Sequence, residues 1–439
     1  MNPSLSVHSA PGRAVDRAYA ALYFAVQRAR GGVDLAMIRR AVEVLDGTRA
    51  QIVDHVCARL REVHGAGPEG REFEWLTDQP LVDRGSLRSS MSRLVRVRPP
   101  RSEVRRTSGS SGMPFTFVKS REMTAWMDAT MWAAYGWHGI VPGLPHARFW
   151  GTPPEWRGRV VQRMKDRLLH QRRLSAFEAT PGRSRRFYER LARFKPEYAY
   201  GYPNVMRAFV EHCRDARLDG RELRCRVVIC TGELLLPQTR AVLEAFFGCP
   251  VVNEYGCTES GILGLDCEYG GSHLIPVAAY AEIVSDDGRP VEGESVGETV
   301  VTDLFGSAAP LLRYRLYDGA ATIAGKCRCG RELPRFELKR GRLGSFIQTP
   351  AGGQIFSTIL PYTVPTEVRR FRVTQTGSDS LDAEIVVDEH ADPLSVVSDC
   401  RRRWEAALGP GMAIKFEVVP SISPDASGKL RYFVPLSEQ

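Results

Sequence analysis

Asn253-Glu254-Tyr255-Gly256-Cys257-Thr258-Glu259-Ser260-Gly261 decides the fold, because it runs straight on from the apolar stretch that begins at Pro250. Ligands of open α/β sheets bind just beyond the carboxyl ends of the strands. A Thr hydroxyl beside a Glu carboxylate can hold a phosphate oxygen and a Mg²⁺ ion together, since Mg²⁺ prefers one or two carboxylates plus phosphates. The plain alternative is a strand-end turn of solvated polar residues.

Working outward, Arg226 to Cys230 reads as a short strand, Pro237 to Phe247 as a helix and Pro250 to Glu254 as a second strand. Strand–helix–strand order implies a parallel sheet with both faces covered. Tyr280 to Leu304 holds two alternating strands around a Gly/Asp-rich turn region, which suits a β-rich subdomain. Upstream, Val15 to Arg28, Leu35 to Leu45 and Ala50 to Val63 carry apolar residues three and four apart and read as helices. Pro99 and Pro100 close that region, and a long helix is expected from Ser120 to Trp137. Downstream, Gly341 to Phe346 marks a boundary. Beyond it come paired strands (Arg370 to Val373 and Ala383 to Val387), a helix from Leu394 to Leu408 and a closing strand from Ala413 to Val419. The expected domains are 1–341 and 342–439, the second a mobile α+β lid.

The 439 residues are 43% hydrophobic and 25% charged, which excludes disorder and suits two or three domains. Met1 to Arg13 lacks an apolar run behind a basic cluster, and Ala18 to Val26 is far short of the ~20 residues of a membrane span. A cytoplasmic protein without membrane contact is expected, its ten cysteines reduced thiols or metal ligands. The net charge of +9 favours anionic partners. The densest cluster, Arg93 to Arg106, borders a Gly/Ser loop rather than an aromatic-studded strand, which favours polyphosphate ligands over nucleic acid.

That loop, Thr107 to Pro114, packs hydroxyls and glycines together, so backbone N–H groups can approach phosphate oxygens. It lacks the Gly-Lys-[Ser/Thr] ending of a P-loop. Cys267 and His273 stand six apart around Gly270-Gly271, while Cys327 and Cys329 flank one arginine before Gly330. A Cys₃His set suits tetrahedral Zn²⁺; the alternative is buried thiols and an unrelated histidine. Trp126, Met127, Met131, Trp132, Tyr135 and Trp137 form an aromatic stripe on the long helix, followed by Phe149-Trp150. Such a stripe is usually core. It is also where an aryl acid would find a flat apolar wall, with Tyr200, Tyr202 and Pro203 as further candidates.

Several of these elements resemble those of adenylate-forming enzymes. Ser108 to Pro114 resembles their phosphate loop, and Tyr255-Gly-Cys-Thr-Glu259 their Tyr-Gly-x-Thr-Glu signature. Arg313-Tyr-Arg-Leu-Tyr-Asp318 resembles the element whose Asp binds ribose. Gly341-Arg342 resembles the Gly-Arg before the hinge, and Ser427-Gly428-Lys429 the Gly-Lys whose lysine reaches the α-phosphate. Within the superfamily, Phe194-Lys-Pro196, Tyr200-Gly-Tyr-Pro203, Thr231-Gly-Glu233 and Cys327-Arg-Cys-Gly-Arg331 resemble the phenylacetate-CoA ligase and capsule-biosynthesis branch, some members of which carry a zinc at a comparable place.

The resemblance implies an α/β fold with a large N-terminal ATP- and acid-binding domain and a small mobile C-terminal one. It implies ATP-dependent activation of an aromatic acid (benzoate-, anthranilate- or phenylacetate-like) to acyl-AMP, then transfer to coenzyme A. The implied cofactors are ATP, Mg²⁺ and coenzyme A, with a structural Zn²⁺. A carrier-protein thiol or an amine as acceptor, a homodimer, and a non-catalytic zinc-containing nucleotide-binding protein stay open as alternatives. Glu259 is implied for Mg²⁺; Thr258, Ser108, Gly109, Ser110, Ser111 and Gly112 for phosphates; and Asp318 and Arg342 for the ribose. Lys429 falls to the reacting α-phosphate, and Gly232, Glu233, Glu254, Tyr255 and Gly256 to the nucleotide pocket. Two departures stand out. No lysine occupies Met113 or Phe115, leaving Arg105, Arg106 or Lys119 to meet the β- and γ-phosphates, and the hinge reads Gly-Arg-Leu-Gly-Ser without the usual acidic residue.

Overall fold

A computed structural model of the chain describes residues 13–106, 115–151, 156–176, 180–291, 293, 295–306, 308–340, 346–350, 352–357, 359–365, 367–423 and 430–436. Ser108, Gly109, Ser110, Ser111, Gly112, Arg342 and Lys429 lie outside the described residues.

Five helices come first: Ala14–Arg30, Leu35–Leu45, Arg49–His64, Glu72–Thr77 and Arg84–Val97. A helix start leaves N–H groups without partners, and short polar side chains satisfy them. Asp34 caps the second helix through Met37, Thr48 and Gln51 form a capping box on the third, and Asp83 and Ser86 one on the fifth. Ile38, Ala41 and Leu45, then Ile52, Val56 and Leu60, turn one stripe of each helix into the core. The expected long helix runs Arg121–Tyr135 and tightens into a 3₁₀ turn at Gly136–His138.

An eleven-stranded sheet organises residues 146–340. Its order is Ala279–Val284, Val296–Asp303, Tyr314–Ile323, Arg335–Arg340, Ser272–Leu274, Gly261–Asp266, Val251–Cys257, Val227–Thr231, Tyr198–Gly201, His146–Trp150, Gln171–Ser175. The last five run parallel to one another, and every other neighbouring pair is antiparallel. The β-rich region is therefore one edge of a single sheet rather than a separate layer. The sheet also starts earlier than Leu223, where strand–helix alternation becomes legible. Its first three parallel strands are four or five residues long and carry Arg148, Arg172, Arg173 or Tyr200, so too little apolar alternation marks them.

One face of the parallel half packs Tyr198, Val227, Ile229 and Val252 against Ala129, Ala133 and Ala134 of the long helix. The other packs Ala147, Phe149, Val228 and Cys230 against Phe187, Phe209 and Leu243. From residue 346 onward the chain builds around its own core. Trp404 and Cys400 of the helix Pro393–Leu408 lie against Phe371, Val373 and Ile385 of a four-stranded sheet.

Candidate functional site

The strand Val251–Cys257 carries the site. Successive strand residues point to opposite faces, so Glu254 and Tyr255 look in different directions. Tyr255 donates its hydroxyl to Asp318 Oδ2 at 3.0 Å. Burial, then the adjacent Asp318 carboxylate, hold its phenol well above the usual range, so it remains a donor. Asp318 reaches that position from an irregular strand. Tyr317 takes φ +61°, and the register shifts between Glu298 and Val300. Glu298 accepts from Arg315 at 3.0 Å and from the Tyr317 N–H at 3.2 Å, which clamps the bulge. Bulges commonly re-aim a side chain in this way.

Gly256 permits a tight return of the chain: a Cβ there would meet the Gly261 carbonyl oxygen at 2.4 Å. Thr258 at the tip is exposed, whereas Glu259 is 2% exposed. Glu259 Oε1 accepts from Arg84 Nη2 at 3.2 Å and from the Tyr314 hydroxyl at 3.2 Å, and Arg84 Nε donates to Tyr314 at 3.0 Å. Both of these bonds to Glu259 fall on Oε1. A buried carboxylate with its second oxygen directed elsewhere fits a Mg²⁺-phosphate complex, which takes one or two carboxylates. Arg84 escaped the sequence reading because it opens a helix that carries no motif. Cys257 accepts the Ser260 N–H at 3.3 Å, and burial with Glu259 nearby pushes its thiol up, so it is no nucleophile.

Lys119, a sequence candidate for the triphosphate, is committed elsewhere. It is 1% exposed and paired with Asp303, which also accepts from Ser260 Oγ at 2.8 Å and the Leu311 N–H at 2.8 Å. This pair fixes the turn after Glu259 instead of meeting a ligand. The Arg106 side chain lies outside the described residues, and Arg105 lies 3.8 Å from Glu103. Arg313, in the ribose-type element, is likewise structural: its guanidinium binds Glu282 at 3.2 Å and the Thr77 and Gln79 carbonyls at 2.8 and 2.9 Å. Lys119→Met should cost about 3–5 kcal/mol by stranding the Asp303 carboxylate. Thermal melting checks this, and a Tm within a degree of wild type contradicts the assignment.

Glu233 and Glu254, expected together, have different partners. Glu233 follows Gly232, which takes φ +76° just past the strand Val227–Thr231. It accepts from the Asn204 N–H at 3.2 Å, from Asn204 Nδ2 at 3.1 Å and from the Leu430 N–H at 2.9 Å. Tyr432 donates to Asn204 Oδ1 at 3.0 Å, and Arg207 Nη2 to the Val368 carbonyl at 3.5 Å. The C-terminal residues thus dock on the helix Pro203–Asp215 and on Glu233 itself. Glu254 instead accepts from the Tyr135 hydroxyl, from Tyr200 at 3.2 Å and from Thr231.

The acid-pocket candidates separate. Tyr135 and Tyr200 meet at Glu254, with Trp150 stacked at 5.6 Å on Tyr200 and at 4.1 Å on Tyr202. Pro203, buried, starts the adjoining helix. Trp126 goes elsewhere: nine residues from Tyr135, about two and a half helical turns, it faces the opposite side. There it stacks on Phe305 at 4.2 Å.

Cys267, His273, Cys327 and Cys329 do converge, their ligand atoms all within 4.8 Å of one another. Cys267 and Cys327 sulfurs are 3.6 Å apart, and Cys329 Sγ lies 3.3 Å from His273 Nε2. Bonds of about 2.3 Å to sulfur and 2.0–2.1 Å to nitrogen give tetrahedral edges of about 3.5–3.8 Å. His273 Nδ1 lies 3.3 Å from the Leu333 carbonyl, which turns Nε2 toward the sulfurs. A Cβ at Gly271 would come within 2.9 Å of Cys327 Sγ, so the cradle requires glycine. The donor set fits zinc.

Comparison with known proteins agrees with this geometry. The AMP-binding enzyme family model matches residues 169–303. Protein CapK of Staphylococcus aureus is 21% identical over 364 residues, covering 81% of this chain and 79% of that protein. Phenylacetate-coenzyme A ligase of Thermus thermophilus is 24% identical over 344 residues, covering 75% and 76%. Among solved structures, 2-hydroxyisobutyryl-CoA ligase in its postadenylation state superposes with a TM-score of 0.69 at 19% identity, covering 90% of this chain and 91% of that one. The same ligase in its thioesterification state gives a TM-score of 0.53 at 20% identity and equal coverage. No helix among the described residues is long and apolar enough to cross a membrane.

Proposed function

From a chain that has the fold of the adenylate-forming enzymes and carries their AMP-binding region, we propose an ATP-dependent aromatic acid–CoA ligase with ATP- and acid-binding residues in 1–341 and a lid in 342–439. The observation that carries the reading is the docking of Leu430 on Glu233, two residues past the strand Val227–Thr231. It sets the residue after Lys429 beside the carboxyl end of Val227–Thr231, the strand next to the one that carries Tyr255.

The first step forms a bond from a carboxylate oxygen to the α-phosphorus of ATP and breaks the α–β bridge, releasing pyrophosphate. The second forms a carbon–sulfur bond from the coenzyme A thiol to the acyl carbon. It releases AMP, and the thiol proton passes to solvent. Charge crowding at phosphorus sets the barrier, so fixed cations and N–H donors dominate. Asp318, oriented by Tyr255, accepts the ribose hydroxyls, and Arg342 follows at the ribose. Glu259 would hold Mg²⁺, whose charge offsets that of the departing pyrophosphate. Arg84, paired with Glu259 at 3.2 Å, supplies the cation absent from Met113 and Phe115. Thr258 and the Ser108–Gly112 loop bind phosphates, Gly232 and Glu233 border the purine, and Lys429 reaches the α-phosphate. Zinc ties the turn after Gly261–Asp266 to the turn before Arg335–Arg340 and takes no part in the chemistry.

Pyrophosphate release across a panel of aromatic and short aliphatic acids tests the reading, followed by AMP release with coenzyme A present or absent. Aromatic acids should turn over at least about tenfold better than aliphatic ones, a discrimination a shaped apolar pocket can supply. Release with aliphatic acids alone overturns the substrate class. Acyl-AMP that accumulates despite coenzyme A assigns the acceptor to a carrier thiol or an amine. ATP binding without pyrophosphate release for any acid leaves a nucleotide-binding protein.

A further inference from the structure

Glu254 is a carboxylate that the chemistry of acyl transfer does not use, held where the acid must sit. It is half-buried, on a strand whose neighbour supplies Thr231 and beside the long helix that supplies Tyr135. Three hydroxyls converge on it, from Tyr135 on the helix Arg121–Tyr135, Tyr200 on Tyr198–Gly201 and Thr231 on Val227–Thr231. The walls are aromatic: Trp150 lies 5.6 Å from Tyr200 with planes 14° apart. Arg148 closes one end, its guanidinium 4.9 Å from the Trp150 ring and 4.8 Å from that of Tyr200.

An ionised carboxylate is acceptor-only, with about four lone-pair positions. Three hydroxyl donors leave one position for a further donor. Burial pulls the Glu254 carboxyl above its usual range, while the hydroxyls and the more distant Arg148 pull it back. Each tyrosine is pushed well above its usual range, by burial first and then by Glu254, so both remain protonated donors. A plain hydrocarbon ring against this carboxylate would bury an acceptor without a partner. A ring bearing N–H or O–H would satisfy it.

We propose that Glu254, oriented by Tyr135, Tyr200 and Thr231, is a specificity-determining residue that selects aromatic acids bearing an amino or hydroxyl donor on the ring. This rests on the aromatic acid–CoA ligase reading and narrows it. The nucleotide lies on the other face of the strand, where Tyr255 meets Asp318, so the two neighbouring residues divide the ligands between them.

The test is acid-dependent pyrophosphate release with benzoate and its 2-, 3- and 4-amino and hydroxy derivatives, for wild type, Glu254→Gln and Glu254→Leu. In wild type, kcat/KM for the best donor-bearing acid should exceed that for benzoate by about tenfold to a hundredfold, because a site built for a hydrogen bond rejects the analogue that lacks it. Glu254→Leu should collapse that ratio toward one, and Glu254→Gln should retain part of it. The ratio does not depend on the fraction of folded enzyme, so partial instability leaves the result readable. Wild type that prefers benzoate, or a Leu variant that loses activity on all acids in equal proportion, overturns the proposal and makes the cluster structural. No activity with any aromatic acid, with aliphatic acids active, overturns the underlying reading instead.

Discussion

Lys429→Ala should slow ATP-dependent acyl-AMP formation by about 10²- to 10³-fold, the cost typical of removing one preorganised group from a developing charge. Thioester formation from supplied acyl-AMP and coenzyme A should stay within about threefold of wild type, because no charge then develops at phosphorus. The contrast follows from where the neighbouring residue sits. Leu430 donates its N–H to Glu233 at 2.9 Å, and Tyr432 donates to Asn204 at 3.0 Å. These bonds, with Arg207 to the Val368 carbonyl and the Arg369–Asp215 pair at 3.7 Å, hold the C-terminal sheet against the helix Pro203–Asp215. The contacts are few and polar, the kind that a lid can exchange for another set between half-reactions. Single-turnover measurements of each half-reaction separate the steps. Equal losses in both would show that residue 429 serves general docking, and no loss in the first would remove it from the chemistry.

The second large effect is on stability. Protein purified without chelator should carry one zinc per chain, and Cys327→Ser should abolish that stoichiometry and lower Tm by roughly 10 °C. Binding free energy at a structural zinc site is folding free energy, with apparent values of about 10–16 kcal/mol in isolated zinc fingers. A large folded domain depends on the site for only part of that, about 3–5 kcal/mol, and each kcal/mol shifts Tm by about 2–4 °C in larger domains. The site joins chain segments that little else ties together. The strand Ser272–Leu274 pairs with Arg335–Arg340 through the single register Arg335 to His273. Outside the cluster, Arg331 bonds Glu268 at 2.8 Å and lies 4.5 Å from the Trp137 ring. These contacts would keep the turn near its place without metal, so the variant should fold yet melt early. Metal analysis and thermal melting of the same preparations decide it. Wild type free of zinc, or a serine variant with unchanged Tm, would reduce the cluster to ordinary thiols.

The sequence by itself carried the elements with long, regular patterns. Leu35–Leu45 and Pro237–Phe247 form over the spans read from spacing alone, and Pro393–Leu408 starts one residue before its expected span. The Cys₃His set was legible too, since glycine-rich turns bring each ligand pair together locally. The Tyr255 to Glu259 stretch announced itself by its place at a strand end. The short strands His146–Trp150, Gln171–Ser175 and Tyr198–Gly201 were hidden because four or five residues cannot display a period.

Tertiary structure alone decided which partner each charged group takes. Lys119 reads in the sequence as a candidate for the triphosphate and Arg84 carries no signal, but the fold buries the first on Asp303 and points the second at Glu259. Trp126 and Tyr135 looked like one aromatic stripe, yet helical rotation sends them to opposite sides. Glu254 and Glu233 both read as nucleotide-side acids, and only the fold shows that the first pairs with Tyr135 and Tyr200 and the second with Asn204 and Leu430. Backbone periodicity is written locally, in spacings of two and three to four residues. Side-chain pairing depends on contacts such as Tyr200 to Glu254 and Lys119 to Asp303, 54 and 184 positions apart, and only the folded sheet brings those together.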